Sequence, residues 1–200
     1  CGDLFFQPVL QQGARDALAD VLRDTAGLPL LFVLGLPLTH GGKLYNCAAV
    51  CQNGRVLGVV PKTHLPNYNE FYEKRQFTPA PAENGVIDLS GAQVPFGTNL
   101  LFQCGTQPAL TLAVEICEDL WAPLPPSTRH AMVGATLICN LSCCAVTFTR
   151  MRVKANRPLI WFSPDIIWSL KTARFWPKLR LSAAVWRQPT STWNALRGNG

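Results

Sequence analysis

The residue whose position points most directly to chemistry is Cys117. It follows the apolar run 111–116 and precedes two carboxylates, Glu118 and Asp119. Side chains alternate along this run, so a strand is predicted with two faces, one carrying Leu110, Leu112, Val114 and Ile116 and the other Ala113, Glu115 and Cys117. A thiol at the carboxyl end of a strand suits a nucleophile, because the following turn presents it to a crevice. The alternative is a buried core thiol, since free Cys is among the most buried residue types.

A second candidate is Lys62, which follows the apolar strand predicted at 55–60. A lysine at a strand end is usually a solvated charge. Beside a thiol, however, its ammonium favours the thiolate and can donate to a developing oxyanion. The polar and aromatic loop after Lys62 contains Glu70 and Glu73. We expect the carboxylate eight residues on, Glu70, to hold the ammonium in place.

These two segments carry a family resemblance. The run Pro61-Lys62-Thr63-His64-Leu65-Pro66-Asn67-Tyr68-Asn69-Glu70-Phe71-Tyr72-Glu73-Lys74-Arg75, together with Val114-Glu115-Ile116-Cys117-Glu118-Asp119-Leu120-Trp121, resembles the glutaminase domain of bacterial glutamine-dependent NAD synthetases. That domain belongs to the nitrilase, or carbon–nitrogen hydrolase, superfamily. Residues 35–38 and 42–50 also look like that family's pattern. The likeness runs from Cys1 to about Ser142.

The resemblance implies a Glu-Lys-Cys triad in which Cys117 is the nucleophile, Lys62 the lysine and Glu70 a supporting glutamate. The thiolate would attack the carboxamide carbon of glutamine and form a thioester, while Lys62 and the backbone N–H of Glu118 hold the oxyanion. The family's first Glu lies upstream of the segment resembling residues 1–5. We therefore expect this chain to be an amino-terminally truncated fragment without that base, and to be catalytically inactive or nearly so.

The same resemblance implies where the product goes. Ammonia would reach a synthetase domain of the same parent chain, which amidates nicotinic acid adenine dinucleotide with ATP and Mg²⁺. We expect that domain to be absent from these residues, so no cofactor and no metal is expected here. Glutamine is the expected small-molecule partner, and the intact protein is expected to be a homo-oligomer.

Three residues are candidates for substrate binding on the resemblance: Glu118, Tyr68 and Trp121. In the family a carboxylate beside the nucleophile binds the α-amino group of glutamine, and an aromatic residue lines the entrance. The alternative for Tyr68 and Trp121 is core packing. Glu115 is interpreted as a buried scaffold residue and His64 as making a loop hydrogen bond. Cys144 stands where the family has a substrate-binding Ser, which places that contact in doubt.

Bulk composition indicates a globular domain and not a disordered chain. Hydrophobic residues make up 48% of the 200-residue chain and charged residues 15%. The eight Cys are irregularly spaced without a CxxC pair, which argues against a zinc ribbon or a disulfide framework. Reduced thiols in a cytoplasmic protein are the simpler interpretation, although Cys47 with Cys51, or Cys139 with Cys143 and Cys144, leaves metal binding open. No apolar stretch reaches spanning length and no signal peptide is visible, so no membrane partner is expected.

Elements are predicted throughout residues 1–142. They are a helix at 9–26 ending near Gly27, strands at 30–36, 44–52, 55–60, 86–89, 100–104, 110–116 and 135–140, and a short helix capped by Ser127 and running to Val133. Asn53-Gly54 predicts a type I′ hairpin turn. This alternation favours an α/β fold with a mixed sheet. The resemblance narrows it to an α-β-β-α sandwich, here incomplete.

The remaining residues, 143–200, differ in character. Residues 1–142 carry a net charge of −3, whereas residues 143–200 carry +9 and five of the six Trp. We expect this tail to be read out of frame and to lie as coil or short unsupported helices, which translation of the neighbouring frames of the coding DNA would test. A true insertion or fusion is the alternative. Basic residues interleaved with aromatics also occur in nucleic-acid-binding proteins, but without a recognised binding fold no nucleic-acid partner is expected.

Three functions remain open from the sequence: the ammonia-supplying glutaminase domain, a stand-alone nitrilase-type amidase, and a non-catalytic fragment whose basic tail binds anions. The loop at residues 67–73 favours the first, because it is the part most particular to NAD synthetases. Substrate profiling would separate the first two, and salt-dependent retention on heparin or DNA would reveal the third.

Overall fold

The computed structural model describes residues 2–142, 146–154, 157–160 and 186–187. Its helices are a 3₁₀ helix (Gly2–Phe6), α1 (Pro8–Asp24), α2 (Glu73–Gln76), a second 3₁₀ helix (Cys117–Trp121) and α3 (Pro126–Met132). Its strands are β1 (Leu31–His40), β2 (Lys43–Gln52), β3 (Arg55–Pro61), β4 (Gly85–Leu89), β5 (Ala92–Phe96), β6 (Phe102–Cys104), β7 (Thr111–Ile116), β8 (Leu137–Leu141), β9 (Val146–Lys154), β10 (Arg157–Ile160) and β11 (Trp186–Arg187).

The predicted first helix is confirmed as α1. Pro8 stands in its first turn, where a missing N–H costs nothing. The helix buries Leu18 against the first sheet. The helix ends at Asp24 and is capped by Thr25, whose hydroxyl donates back to the Val21 carbonyl at 2.7 Å. Gly27 follows with a φ of +83°, so it accommodates the left-handed turn that leads out of the helix.

The first sheet has the strand order β1-β2-β3-β5-β4. Its β2-β3 hairpin turns at Asn53 and Gly54, whose φ angles of +49° and +71° match the predicted turn. A second hairpin, β4-β5, turns at Ser90 and Gly91, also with positive φ. Sequence reasoning found β4 and missed β5, because Pro95 and the short, weakly alternating run gave no clear strand signal.

The second sheet has the order β10-β9-β8-β7-β6-β11. Its central strands β7 and β8 are parallel, with Glu115 opposite Asn140 and Ile116 opposite Leu141. The carboxyl ends of these two strands therefore meet at one edge of the sandwich. Cys117 and Ser142 come directly after these strands, and the register therefore makes them neighbours.

The two sheets stack face to face, and each is covered on its outer side by a helix. The inner layer holds Ala48, Val50 and Val60 from the first sheet and Leu112, Val114, Ile116, Cys139 and Leu141 from the second. Gly58 permits close approach, because a Cβ there would lie 2.9 Å from the Phe102 ring. α1 packs on the outer face of the first sheet, and Ala113 and Ile138 face outward on the α3 side of the second. The predicted α-β-β-α sandwich is confirmed. The two predicted faces of β7 are confirmed for the strand itself. The placement of Cys117 on the face of Ala113 and Glu115 is wrong, because the strand ends at Ile116 and Cys117 packs against the inner layer.

Two expectations are wrong. Ser127 does not cap α3, because the helix begins at Pro126 and Ser127 lies buried inside its first turn. Residues 146–154 and 157–160 do not form coil or helix, since β9 pairs antiparallel with β8 and β10 with β9. The apolar alternation changes phase between Phe148 and Met151, which hid β9 in the sequence. Residues 143–145, 155–156, 161–185 and 188–200 lie outside the described residues, and the division at residue 142 stays a prediction.

Among the described residues, no helix combines the length and the apolar character needed to span a bilayer.

Candidate active site

Cys117 stands directly after β7, as the first residue of the second 3₁₀ helix. Its φ is +47°, a left-handed conformation that costs a non-glycine residue roughly 1–2 kcal/mol. Such strain persists only where the surroundings hold it in place. Cys117 is half-buried, whereas Cys47, Cys51, Cys104 and Cys139 are fully buried. Cys117 therefore differs from the core thiols in both exposure and backbone conformation.

Lys62 stands directly after β3 and is 1% exposed. Its backbone is held on both sides, since its N–H donates to Asn46 and its carbonyl accepts from Ala80. The ammonium Nζ lies 2.8 Å from both carboxylate oxygens of Glu73. The charge is thus buried and paired, which is the usual condition for a lysine inside a protein.

Glu73, and not Glu70, holds the Lys62 ammonium, so the expectation placed on Glu70 is wrong in this respect. The N–H of Glu73 donates to the Pro66 carbonyl at 3.2 Å, which folds the loop back on itself as α2 begins. That fold turns Glu73 toward the core. Glu70 lies exposed, directly after Asn69 with its φ of +50°. Sequence spacing alone could not choose between these two carboxylates.

Asp119 ties the Lys62 loop to the Cys117 strand. One carboxylate oxygen accepts from the N–H of His64 at 2.7 Å and of Thr63 at 3.1 Å. The other accepts from the N–H of Ile116 at 3.0 Å. The residues just after Lys62 and just before Cys117 therefore share one buried carboxylate. The hydrogen bond expected of His64 is made by its backbone.

Burial raises the pKa of Asp119 to about 6, against the opposing effect of the hydrogen bonds from His64 and Ile116. Sequence reasoning missed the role of Asp119. The available signal was a carboxylate two residues after the thiol, at the point where an apolar strand turns into polar loop.

Tyr68 and Glu118, two of the predicted substrate-binding residues, are brought together. The Tyr68 hydroxyl donates to a Glu118 carboxylate oxygen at 2.8 Å. This hydrogen bond is the main reason why the pKa of Tyr68 is raised, with nearby Cys117 and Glu70 adding to the effect. Tyr68 is 51% exposed and Trp121 72% exposed, so the alternative in which both pack in the core is wrong. Trp121 lies on the surface at the end of the same 3₁₀ helix as Cys117.

Glu115, two residues before Cys117, is buried and hydrogen-bonded, as predicted. Its carboxylate accepts from the Ser127 N–H at 3.1 Å and from the Asn140 amide at 3.3 Å. The same Asn140 amide donates to the carbonyl of Cys117 at 3.3 Å. Burial raises the pKa of Glu115 above its ordinary value.

Ser142 contacts the side chain of Cys117. Its hydroxyl donates to the sulfur of Cys117 over 3.6 Å. Sequence reasoning did not single out Ser142 and looked instead two residues further on. Cys144, on which the doubt about substrate binding rested, lies outside the described residues.

An open cavity of about 530 Å³ lies beside the Lys62–Glu73 pair. Its lining combines aromatic rings with two carboxylates, those of Glu70 and Glu73. The other lining residues are Phe5, Gly35, Leu36, Pro37, Asn46, Phe71, Tyr72, Gln76 and Phe77. In the part of the chain that the structure describes, no cluster of three His, Cys, Asp or Glu residues could hold a metal ion.

Comparison with known proteins finds relatives that match most of this chain. No protein-family model matches the chain. Over 148 residues, 74% of this chain, it is 47% identical to the glutamine-dependent NAD⁺ synthetase of Mycobacterium tuberculosis strain H37Rv, of which it covers 22%. The Arabidopsis thaliana glutamine-dependent NAD⁺ synthetase is 30% identical over 152 residues, 71% of this chain and 20% of the relative.

Glutamine-dependent NAD⁺ synthetases are therefore homologues of this chain over 74% of its length. The chain spans about a fifth of the length of these relatives.

Solved structures agree with this assignment. A glutamine-dependent NAD⁺ synthetase from Cytophaga hutchinsonii superposes with a TM-score of 0.60 and 29% identity, over 72% of this chain and 22% of that structure. A carbon–nitrogen hydrolase from Helicobacter pylori, at 21% identity and a TM-score of 0.50 over 74% of this chain and 43% of its own, shares the fold. The fold of this chain is therefore the nitrilase-like fold of carbon–nitrogen hydrolases.

Proposed function

We propose that this chain carries the site at which glutamine is hydrolysed to glutamate and ammonia, with Cys117 as the nucleophile. The observation that carries the proposal is the Asp119 link, which joins a strained, half-exposed thiol to the loop of a buried lysine. Core cysteines need neither feature. The family relationship supplies the amide class of substrate and favours this reading over a stand-alone amidase.

The proposed reaction proceeds in two halves. The sulfur of Cys117 forms a bond to the carboxamide carbon, and the carbonyl π electrons move onto oxygen. Lys62 and the N–H of Glu118 stabilise that oxyanion. The C–N bond then breaks, and ammonia leaves with the proton that the thiol gave up. Water cleaves the thioester to give glutamate and the free thiol. On the family resemblance, the general base that moves these protons is a further glutamate.

Substrate selection is proposed to rest on Glu118 and Tyr68. A carboxylate at the entrance suits the α-amino group of glutamine, which is positively charged at neutral pH. The Tyr68 hydroxyl fixes the orientation of that carboxylate through its 2.8 Å hydrogen bond. Trp121, exposed beside them, is proposed to line the entrance.

The ammonia is proposed to serve NAD⁺ formation. The relatives are named for a glutamine-dependent synthesis of NAD⁺, which requires a second activity that consumes the ammonia. We propose that a synthetase domain amidates nicotinic acid adenine dinucleotide with ATP and Mg²⁺, in a cytoplasmic homo-oligomer.

Covalent capture tests the glutaminase assignment without requiring turnover. The probe is 6-diazo-5-oxo-L-norleucine, a glutamine-shaped diazoketone that alkylates a nucleophile bound next to its carbonyl. We expect mass spectrometry to find the label on Cys117, with protection by L-glutamine and none by propionamide. The Cys117→Ala variant should take up no label. Labelling spread over the other cysteines, or equal protection by simple amides, would overturn the proposal.

A further inference from the structure

The carboxyl end of β8 meets the nucleophile. β7 and β8 run parallel with Ile116 opposite Leu141, so Ser142 emerges beside Cys117 at the same edge of the sheet. Parallel strands bring their carboxyl ends to one crevice, where ligands of α/β proteins bind. The end of β8 is therefore placed to act on the reacting group.

Two side chains from this end of β8 form hydrogen bonds with Cys117, one at its backbone carbonyl and one at its sulfur. The Asn140 amide donates to its backbone carbonyl at 3.3 Å. The Ser142 hydroxyl donates to its sulfur over 3.6 Å. The first contact holds the backbone, whose φ is +47°, and the second reaches the reacting atom.

The direction of the Ser142 contact matters for the chemistry. A hydroxyl that donates to sulfur stabilises the thiolate more than the thiol, because a hydrogen bond to a charged group is stronger than one between neutral groups. The Lys62 ammonium is already paired with another group, since its Nζ lies 2.8 Å from both oxygens of Glu73. The hydrogen bond that the structure gives to the sulfur comes from Ser142.

We infer that Ser142 is a further catalytic residue, whose hydroxyl orients the Cys117 sulfur and supports its thiolate form, with Asn140 as a positioning residue for the backbone. The Ser142 proton stays on its own oxygen throughout, so Ser142 is neither base nor nucleophile. As the sulfur attacks the carboxamide carbon, its charge moves to the oxyanion and the hydroxyl contact weakens. The substrate in this inference rests on the proposed function, whereas the hydrogen bond between Ser142 and Cys117 does not.

The test is the rate at which iodoacetamide alkylates Cys117 in the full 200-residue chain, followed by mass spectrometry at fixed pH. Ser142→Thr keeps the hydroxyl. Ser142→Val has nearly the same shape as the Thr variant but lacks the hydroxyl. We expect the Val variant to react roughly tenfold more slowly than the parent, at the low end for a hydrogen bond to a charged group. The Thr variant should stay within about twofold, because it keeps that hydrogen bond.

Two controls separate this role from a structural one. Thr128→Ala removes an exposed hydroxyl from α3 and should leave the alkylation rate unchanged. Ser142→Ala should also slow alkylation, and it gives a second answer if the Val variant fails to fold. Equal rates for the Thr and Val variants, or a parent-like rate for the Ala variant, would overturn the inference. Iodoacetamide alkylates the thiol without needing a glutamine site. If the diazoketone failed to label Cys117 while the Ser142 variants still differed in their alkylation rates, only the proposed substrate would be rejected.

Discussion

Replacing Asp119 by asparagine should weaken the hydrogen bonds that connect the Lys62 loop to the strand that precedes Cys117. The two oxygens of Asp119 together accept from the backbone N–H groups of Thr63, His64 and Ile116. An asparagine has the same shape but carries one NH₂ in place of an oxygen. Whichever way the amide turns, that NH₂ faces at least one backbone N–H, and a buried donor is left unpaired.

The size of the effect follows from these contacts. Losing one hydrogen bond to a charged acceptor costs about 1.5–3 kcal/mol, and an unpaired buried donor costs about 1–3 kcal/mol. Because Asp119 is 1% exposed, water cannot easily replace the lost acceptor. We expect Asp119→Asn to lower the free energy of unfolding by roughly 3 kcal/mol, a large part of the 5–15 kcal/mol typical of a domain.

Urea denaturation followed by circular dichroism measures this difference. The matched control is Asp24→Asn, which changes an exposed aspartate at the end of α1 and should shift stability by less than about 0.5 kcal/mol. If Asp119→Asn were as mild as Asp24→Asn, the three backbone hydrogen bonds would not be holding the two segments together.

Further predictions concern the lysine, the thiol and a buried histidine. Glu73→Gln should destabilise the domain by roughly 3 kcal/mol in urea denaturation, because it leaves the buried Lys62 ammonium without a charged partner. Glu70→Gln should change stability by under about 0.5 kcal/mol, and the reverse order would restore Glu70 as the partner. In a protein that also carries the synthetase domain, Cys117→Ala should end NAD⁺ formation from glutamine and spare formation from ammonium, and persistent glutamine-driven synthesis would reject the nucleophile. Burial lowers the pKa of His130, whose Nδ1 lacks a partner among the described residues. The stability contributed by neutral His130 is thus present above the unfolded pKa of about 6.5 and is lost on acidification. His130→Gln should therefore flatten the fall in unfolding free energy between about pH 7 and 5. An unchanged slope would contradict this prediction.

The sequence by itself determined α1 and most strands of residues 1–142, but not α2, β5 or β9, and it identified the thiol, lysine and carboxylates that could do chemistry. Strand alternation fixed which face of β7 enters the core and placed Cys117 at its end. The Asn53-Gly54 dipeptide determined a hairpin, because few other residues adopt two consecutive positive φ angles. These features depend on periods of two and on local backbone preference, which are readable over a few residues.

Only the tertiary structure decided which partner each carboxylate binds. Glu70, Glu73, Glu115 and Asp119 look alike in sequence. Their roles depend on a loop that folds back at Pro66 and on the register of β7 against β8. Ser142 likewise meets Cys117 because parallel strands 25 residues apart end together. Hydrogen bonds act over about 3 Å, while chain separation carries no such information. Partners are therefore chosen by the packing of the two sheets, and the local sequence only supplies the candidates.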